Sequence, residues 1–458
     1  MKNLFALFTL LLLHFPLHLR ADLLSATLDY SSGKYPEAHS EFSRLAKLGN
    51  KDAIYNIAVM NLHGQGMDKN LVQAHSWFLL AADFGLDDAR TAARLIEQNV
   101  NDSPALNKDY QTLSADFNYQ MFADTLLPVF NVKQYDNRVA LPPKRVHSVD
   151  AKYPKEAYEK GLEGWVWLEF DVDESGAVKD VDILDAYPDK TFNRAIYNAV
   201  RRWRYETFSV DGKVKSYGNR SLLYHFTTFK GKRYKASFSR QKKQYQQKIN
   251  HLIERAEQGN AVVQYYIANW LVADEHNATK LLRFHWSEDT AGSDLLLASA
   301  TNGYPNAQYR LGANLLRGEY TNEDRKKGLN WILYAAQGGF VYAQYRLARE
   351  LLDKRFVEYD PAKAQRWLKA AAEQGHFRAI RDLTELLIEQ KDYPGAQNML
   401  DLGLKEDDEH PDLLFSQAKL LAVNGDKVAA KAAVENAIAQ AEDRDWYLAD
   451  LQRYLSGF

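Results

Sequence analysis

A repeating unit of 36 residues constrains the fold of this chain more than any other feature. In three segments a tryptophan is followed, at identical offsets, by two adjacent alanines, a glycine and a further alanine. The full copies begin at Trp77, Trp331 and Trp367, and the 36-residue steps join Gly49 to Gly85, Gly303 to Gly339, and Gly339 to Gly375. Small and large residues at helical spacing let two helices pack closely, and the glycine closes the second helix in a left-handed turn. Because one such hairpin cannot bury its own apolar face, neighbouring hairpins are expected to stack into a solenoid.

This code resembles that of the SEL-one-like repeat family, which is related to tetratricopeptide repeats, over about 22–100 and 245–380. The step from Gly259 to Gly303 is eight residues longer than the others, which predicts an inserted loop. Residues 381–458 lack the code but keep the pattern of tetratricopeptide-like helix pairs. The resemblance implies that the repeats bind other proteins, and it implies no catalysis.

A segment between the two sets of repeats, residues 142–229, breaks this period and has the pattern of a small α+β domain. Apolar residues alternate along "GWVWLEFDV", which predicts a strand with Val166, Leu168 and Phe170 on one face. The following "DESGAV" predicts a turn in which Gly176 takes a positive φ. The remaining predicted elements are a strand at 178–184, an amphipathic helix at 189–206 and a last strand at 216–229.

The run "NAVRRWRYE" at the end of that helix combines arginines with apolar residues. Helical spacing places Ala199, Val200 and Trp203 towards the core and the three arginines mostly towards solvent, where the helix dipole favours a basic end. A nucleic-acid patch is the alternative interpretation. The formal net charge of -2 and the lack of any other nucleic-acid motif in the sequence argue against it.

The inserted segment resembles the C-terminal domain of TonB, a periplasm-spanning protein that couples a proton-driven inner-membrane motor to outer-membrane receptors. The matching residues are Tyr153, Pro154, Gly161, Gly164, Phe170, Asp171, Val172, Gly176, Val181, Ile183, Leu184, Phe192, Ala199, Arg202, Trp203, Arg204 and Tyr205. By this resemblance the segment folds as an α+β unit. It would grip an extended peptide, the TonB box of a receptor, by strand addition to its last strand.

The same resemblance implies which residues bind the peptide. An exposed edge strand presents backbone N–H and C=O groups, which a partner peptide satisfies with little demand on side chains. The implied residues are Ser148, Val149 and Asp150, which flank the peptide, and Ser221, Leu222, Leu223, Tyr224, His225, Phe226 and Thr227 on the strand. The alternative is that the chain following the last strand covers its edge.

The first 21 residues have the pattern of an export signal. Lys2 precedes an apolar run from Leu4 to Leu13, which is shorter than the roughly 20 residues that span a bilayer. We expect a cleaved signal and the periplasm of a Gram-negative bacterium, with a retained inner-membrane anchor as the alternative. The chain also departs from TonB because its 12 prolines form no proline-rich spacer, and because 229 residues follow position 229.

The residue types present argue against catalytic, cofactor and metal sites. No cysteine occurs, which excludes disulfides, thiolate metal ligands and cysteine nucleophiles. The 12 histidines show no metal-binding spacing, and the sequence has no serine-hydrolase, phosphate-loop or dinucleotide motif. The stretch from Asp171 to Gly176 matches the start of a calcium loop, but the flanking strands and the missing loop glutamate favour a hairpin turn. We therefore expect no enzymatic activity, no cofactor and no metal.

Together these features predict a mainly α protein of helical-hairpin solenoid repeats with an inserted small α+β domain similar to the C-terminal domain of TonB. The expected domains are a signal peptide at 1–21, SEL-one-like repeats at 22–100, a linker at 101–141, the TonB-like domain at 142–229, a basic linker and SEL-one-like repeats at 230–380, and tetratricopeptide-like repeats at 381–458.

The expected function is that of the TonB family. The inserted domain meets an outer-membrane TonB-dependent receptor, or a similar extended peptide, in energy-dependent transport, and the repeats bind further envelope proteins. Inner-membrane motor proteins are expected partners if the N-terminal segment is retained, and nucleic acid is not expected. The alternative is a periplasmic scaffold or adaptor without energy transduction.

Overall fold

The structure is a computed structural model that describes residues 22–100, 102–130, 142–210, 212–227, 235–273, 276–353 and 357–458. The expected export signal at 1–21 lies outside this part of the chain, as do the last two residues of the predicted strand at 216–229. Helices account for 63% of the described residues and form repeated hairpins, which confirms the mainly α fold.

Two compact units can be distinguished among these residues. The sheet unit contains residues 142–257 and 266–292, and the repeat unit contains residues 22–130, 258–265 and 293–458.

The first seven helices belong to the repeat unit. They are α1 (Leu23–Ser31), α2 (Tyr35–Lys47), α3 (Lys51–His63), α4 (Leu71–Asp83), α5 (Asp87–Glu97), α6 (Ser103–Asp116) and α7 (Tyr119–Thr125). Asn50 begins α3 because its side chain accepts a hydrogen bond from the amide of Ala53 at 2.8 Å. The predicted glycine turns are present: Gly49 and Gly85 have φ of 80° and 91°, in the left-handed region.

Residues 101–141, expected as a linker, contain two of these helices, α6 and α7. The ring of Phe122 packs against that of Phe84 with centroids 5.6 Å apart. Further along, the carbonyl of Leu126 accepts a hydrogen bond from the indole of Trp367 at 3.0 Å. Within 102–130, apolar side chains therefore pack against other helices of the repeat unit.

The sheet unit contains all seven strands that the structure describes. They are β1 (Arg145–His147), β2 (Gly164–Val172), β3 (Val178–Tyr187), β4 (Arg204–Tyr205), β5 (Phe208–Val210), β6 (Lys213–Lys215) and β7 (Tyr217–Phe226). The main sheet is antiparallel with the order β3–β2–β7, while β1 pairs with β4 and β5 with β6. The strand predicted over "GWVWLEFDV" is therefore confirmed as the central strand.

Two helices, α8 (Lys155–Lys160) and α9 (Asn193–Val200), accompany this sheet. The helix predicted over 189–206 is too long, because α9 ends at Val200. The amide of Trp203 donates a hydrogen bond to the carbonyl of Val200 at 2.9 Å, and after this turn the chain enters β4. Trp203 still reaches the core from this turn, and Arg201 and Arg202 are exposed as expected.

One face of the sheet forms the core of the α+β domain. Its buried residues are Ala157, Val166, Leu168, Phe170, Val172, Val178, Ala186, Phe192, Ile196, Val200, Trp203, Tyr205 and Phe226. They come from β2, β3 and β7 on one side, and from α8, α9, the residues directly before and after α9, and β4 on the other. The strand alternation in the sequence thus identified the core face of β2 correctly.

The opposite face of the sheet is also covered. Three helices follow β7: α10 (Lys235–Glu257), α11 (Ala261–Leu271) and α12 (Asn277–Leu282), the last within the predicted inserted loop. From α11, the ring of Tyr266 lies 5.3 Å from that of Trp165, and the ring of Trp270 lies 4.8 Å from that of Tyr187. Trp165 is consequently fully buried.

The remaining helices continue the repeats. They are α13 (Ala291–Thr301), α14 (Pro305–Arg317), α15 (Arg325–Gln337), α16 (Val341–Asp353), α17 (Pro361–Ala372), α18 (Phe377–Glu389), α19 (Tyr393–Glu406), α20 (Pro411–Val423), α21 (Lys427–Asp443) and α22 (Ala449–Leu455). Helices α14 and α15 approach so closely that a Cβ on Gly312 would lie 2.6 Å from the carbonyl oxygen of Gly328. Small residues at these positions therefore allow the hairpin, as the repeat code predicts.

Candidate peptide-binding strand

Strand β7 is the outermost strand of the main sheet within the described residues. Its one strand neighbour there is β2, and no described strand lies on its other side. The segment Ser221–Tyr224 takes part in none of the backbone hydrogen bonds found outside helices and strands in this part of the chain. Ser221–Tyr224 is also partly exposed, whereas every residue of β2 is buried. This segment therefore has the geometry of an edge strand.

The side chains of β7 alternate between the two faces of the sheet. Leu222 and Tyr224 pack against the core of the α+β domain. Ser221 stands opposite Glu169 in β2, on the other face, and its hydroxyl accepts a hydrogen bond from the indole of Trp167 at 2.9 Å. Both faces of the strand are thus held by packing, so its backbone edge is presented in a fixed orientation.

The segment Ser148–Asp150 lies next to β7 on the core side of the sheet. The carbonyl of Val149 accepts a hydrogen bond from the indole of Trp203 at 2.9 Å. The hydroxyl of Tyr224 in β7 is hydrogen-bonded to the backbone of Ala151, and burial raises the pKa of this hydroxyl. The two groups of residues that the sequence assigned to peptide binding therefore meet around Tyr224.

Two arginines that sequence reasoning missed also lie beside this region. The guanidinium of Arg145 lies 4.2 Å from the ring centroid of Trp203. In β7 itself, the guanidinium of Arg220 lies 5.1 Å from the ring of Tyr205. Stacking on aromatic rings holds both charges in place. The alternation of basic and aromatic residues in the sequence was a possible signal, but their partners are too distant in sequence to pair by inspection.

A histidine pair joins the end of β7 to helix α12. Nδ1 of His225 and Nε2 of His276 share a hydrogen bond of 2.7 Å. His276 is fully buried, and this burial lowers its pKa to about 4. The carboxylate of Glu163, just before β2, accepts hydrogen bonds from the backbone and side-chain amides of Asn277 at 2.9 and 3.1 Å.

The chain that follows β7 thus contacts the second face and one end of the sheet, through α11 and α12. The sequence left open whether this chain covers the edge instead. In the part of the chain that is described, these contacts leave Ser221–Tyr224 without a neighbouring strand on the outer side. Thr227, the last predicted site residue, follows the strand and is partly exposed.

The stretch that matched a calcium loop is a hairpin turn between β2 and β3. Oδ1 of Asp173 accepts hydrogen bonds from the amides of Ser175 and Ala177, both at 2.9 Å. Gly176 has φ of 87°, and a Cβ there would lie 2.2 Å from the carbonyl oxygen of Tyr205. Only glycine fits this turn, because it combines a left-handed conformation with a close backbone approach. Among the described residues, no group of three or more histidines and carboxylates has metal-binding geometry.

None of the described helices combines the length and the apolar character needed to cross a bilayer. The fold and the strand geometry define this chain as a helical-repeat protein with an inserted α+β domain that ends in an edge strand.

Family comparisons agree with this description. The model for the C-terminal region of Gram-negative bacterial TonB proteins matches residues 149–225. The Sel1 repeat model matches residues 51–85, 305–340 and 341–376. The chain therefore carries a TonB C-terminal domain inserted among Sel1 repeats, as the sequence resemblance implied. Neither of these is a catalytic family.

Individual relatives match over short stretches. Protein TonB from Yersinia enterocolitica is 41% identical over 72 residues, and protein TonB from Escherichia coli strain K12 is 43% identical over 68 residues. These alignments cover 16% and 15% of this chain and 28% of each TonB chain, so the protein spans little more than a quarter of those relatives. A solved structure of a protective antigen present in uropathogenic Escherichia coli strains, which displays an SLR fold, is 16% identical with a TM-score of 0.35. The structural alignment covers 95% of the present chain and 70% of the antigen chain.

Proposed function

We propose that strand β7 binds an extended peptide by strand addition to its outer edge. The observation that supports this proposal best is the edge position of Ser221–Tyr224 in a domain of the TonB C-terminal family. The edge extends over Leu222, Leu223, Tyr224, His225, Phe226 and Thr227, and Ser148, Val149 and Asp150 flank the bound peptide. Five or six backbone hydrogen bonds, each worth roughly 0.5–1.5 kcal/mol net, give a modest affinity once the ordering of the peptide is counted.

The partner in this proposal is an outer-membrane TonB-dependent receptor, and the process is energy-dependent transport across the envelope. The relatives named TonB support this choice of partner. The protein acts in the periplasm of a Gram-negative bacterium, is not an enzyme, and uses its repeats to hold further envelope proteins. The proposed domains keep the boundaries expected from the sequence, although α6 and α7 lie in the segment 101–141 and residues 235–257 and 266–292 belong to the sheet unit.

A peptide scan tests strand addition. The probe is a labelled receptor peptide as long as β7, which has 10 residues, and it is titrated into the full chain. Each residue of the peptide is N-methylated in turn. Because a paired strand directs alternate amides towards its partner, the affinity should fall by about fivefold at every second position and remain nearly unchanged at the positions between.

The intervening N-methylated peptides serve as matched controls, because they differ from the affected peptides in position alone. Equal losses at all positions, or no loss at any, would show that the peptide does not bind as an added strand.

The role in energy transduction has its own test, because force requires attachment to the membrane motor. The intact mass of the protein is measured after fractionation of the native envelope. A full-length chain in the inner membrane supports a transducer that contacts the motor proteins. A chain lacking residues 1–21 in the soluble periplasm supports the second candidate, a periplasmic scaffold or adaptor, which the repeats favour.

A further inference from the structure

A short segment that follows α7, residues 126–130, lies along helix α17 within the repeat unit. The carbonyl of Leu126 accepts a hydrogen bond from the indole of Trp367 at 3.0 Å. The carbonyl of Leu127 accepts one from Nζ of Lys363 at 2.7 Å. Both donors belong to α17, and residues four apart share one side of a helix. Helix α17 therefore holds this segment through the backbone of the segment.

The loop before α17 supplies a third donor to the same segment. The amide of Glu358 donates a hydrogen bond to the carbonyl of Val129 at 2.8 Å, and Phe130 pairs with Val357 in an antiparallel bridge. Pro128, which lies between the bonded carbonyls, is buried. The repeat thus binds a part of its own chain as it would bind a peptide, through three backbone carbonyls and a buried proline.

The preceding repeat has the same three donors at the same spacing. Counting back by the 36-residue period of the repeats leads from α17 and its leading loop to α15 and its leading loop. Trp331 corresponds to Trp367, Lys327 to Lys363 and Asn322 to Glu358. The two loops also close in the same way, because the amide of the capping aspartate donates to the carbonyl nine residues earlier, at 3.0 and 3.1 Å.

The donors are exposed at α15, whereas they are covered at α17. Trp367 is 0% exposed, and the side chain of Lys363 is 10% exposed. In contrast, Trp331 is partly exposed, and the side chain of Lys327 is 74% exposed. Within the described residues, neither the indole N–H of Trp331 nor the exposed amide of Asn322 has a hydrogen-bond partner. A peptide can therefore reach these donors from solvent.

The ion pair that Lys327 forms with Asp324 leaves the lysine able to bind a carbonyl. Nζ of Lys327 lies 3.1 Å from the carboxylate of Asp324. At α17 the equivalent lysine and aspartate lie 3.8 Å apart, while the lysine also donates to the carbonyl of Leu127. Because an ammonium group has three donors, Lys327 can keep its aspartate and bind a peptide as well.

The exposed side of α15 also has an aromatic pair that suits a proline. The ring of Tyr334 lies 5.8 Å from that of Trp331 at an interplanar angle of 77°, and Tyr334 is 52% exposed. Grooves lined by aromatic rings recognise proline-containing segments, which are already extended and lose little entropy on binding. We refer to the following groups as the α15 surface: the side chains of Lys327, Trp331 and Tyr334, and the amide of Asn322.

We propose that the α15 surface binds an extended, apolar, proline-containing segment of a partner protein. Residues 126–130 are the example of such a ligand within this chain, since they present carbonyls to the equivalent donors of α17 and bury Pro128. This inference rests on the proposed role of the repeats in holding other proteins, and it identifies the chemistry of the ligand. It is independent of strand addition at β7.

Binding is tested with the full chain and a labelled peptide that has the sequence of residues 124–130. The control peptide has alanine in place of the proline. The native protein should bind the proline peptide at least about fivefold more tightly than the alanine peptide, because proline fixes the backbone and reduces the cost of ordering.

Two substitutions locate the binding site. Trp331→Phe keeps an aromatic ring but removes the indole N–H, so the affinity for the proline peptide should fall by about fivefold. Tyr334→Ala should cause a loss of about fivefold as well, and it should leave the melting temperature unchanged because the side chain is half exposed. The matched control is Trp77→Phe, at the same position of the repeat code in α4, where Gln73 replaces the lysine. This control should keep the affinity within about twofold.

The proposal is overturned if the native protein binds the two peptides equally or binds neither of them. It is also overturned if Trp331→Phe and Tyr334→Ala both leave the affinity unchanged, or if Trp77→Phe weakens binding as much as Trp331→Phe does. A loss with Trp367→Phe but not with Trp331→Phe would show that the peptide displaces residues 126–130 from α17 instead.

A parallel titration separates this proposal from strand addition. The Trp331→Phe variant should bind the receptor peptide at β7 with the affinity of the native protein. Loss of the proline peptide alone therefore concerns the α15 surface, and failure of the receptor peptide to bind concerns β7.

Discussion

The contact between Trp165 and Tyr266 makes a quantitative prediction about the second face of the sheet. The two rings lie 5.3 Å apart, and they are 0% and 7% exposed. Truncation of a buried aromatic side chain to alanine costs about 3–5 kcal/mol, and an aromatic pair contributes about 0.5–1.5 kcal/mol beyond its buried area. Tyr266→Ala should therefore lower the free energy of opening of β2 by about 3 kcal/mol.

Amide hydrogen exchange of Gly164–Val172 in the full chain measures this opening, because these amides form the centre of the sheet. Combined with Trp165→Leu in a double-mutant cycle, Tyr266→Ala should show a coupling of about 0.5–1.5 kcal/mol. The matched control is Tyr197→Ala, which lies in α9 on the core side of the sheet and is 42% exposed. It should change the opening free energy by less than about 0.5 kcal/mol and show no coupling to Trp165. Additive effects of Trp165→Leu and Tyr266→Ala would refute the covering of this face by α11.

Three further predictions concern the sheet unit. Burial lowers the pKa of His276 from 6.5 to about 4, so the stability contributed by its neutral imidazole is fully present above pH 6.5 and is lost as the pH falls through about 4. Denaturant unfolding measured across this pH window should show a loss of about 3 kcal/mol in the free energy of unfolding. The substitution His276→Asn should remove this pH dependence. Gly176→Ala should destabilise the domain by more than about 2 kcal/mol in the same unfolding assay. The control is Gly212→Ala, which should cost about 1 kcal/mol, because Gly212 has φ of 74° but no atom within 4 Å of an added Cβ. Equal costs would contradict the close approach of Gly176 to the backbone of Tyr205. Trp203→Phe removes the hydrogen bond to the carbonyl of Val149, so hydrogen exchange around that residue should accelerate by about fivefold, and unchanged exchange would contradict the anchoring of this segment.

Local patterns in the sequence were sufficient to predict the parts of the fold that depend on residues close together in the chain. The left-handed turns at Gly49 and Gly85 follow from a code that recurs at one spacing, and β2 follows from strict alternation. The end of α9 was misplaced because apolar spacing continues to Trp203, although the chain has already left the helix there. The pairing of β4 with β1, which causes that exit, joins residues far apart in sequence.

Sequence patterns could not predict which residues cover the second face of the sheet or which residues surround the candidate site. Tyr266 falls within the span 245–380 that resembles the repeats, and nothing in its sequence neighbourhood indicated contact with Trp165. The pair formed by His225 and His276 likewise joins a strand to a short helix inside an insertion. The strand that carries the candidate site was predicted over 216–229, and its role as the edge strand came from the family resemblance.

The outer edge of β7 is tested most directly by following its backbone amides while a peptide binds. The measurement is a titration of the full chain, labelled with ¹⁵N and ²H, with a receptor peptide, recording amide shifts and hydrogen exchange for Ser221–Tyr224. If the peptide adds as a strand, amides in this segment should shift and those facing outward should become protected from exchange, while Lys213–Lys215 in β6 should be unaffected. Saturating peptide that leaves the amides of Ser221–Tyr224 unchanged would contradict strand addition at β7.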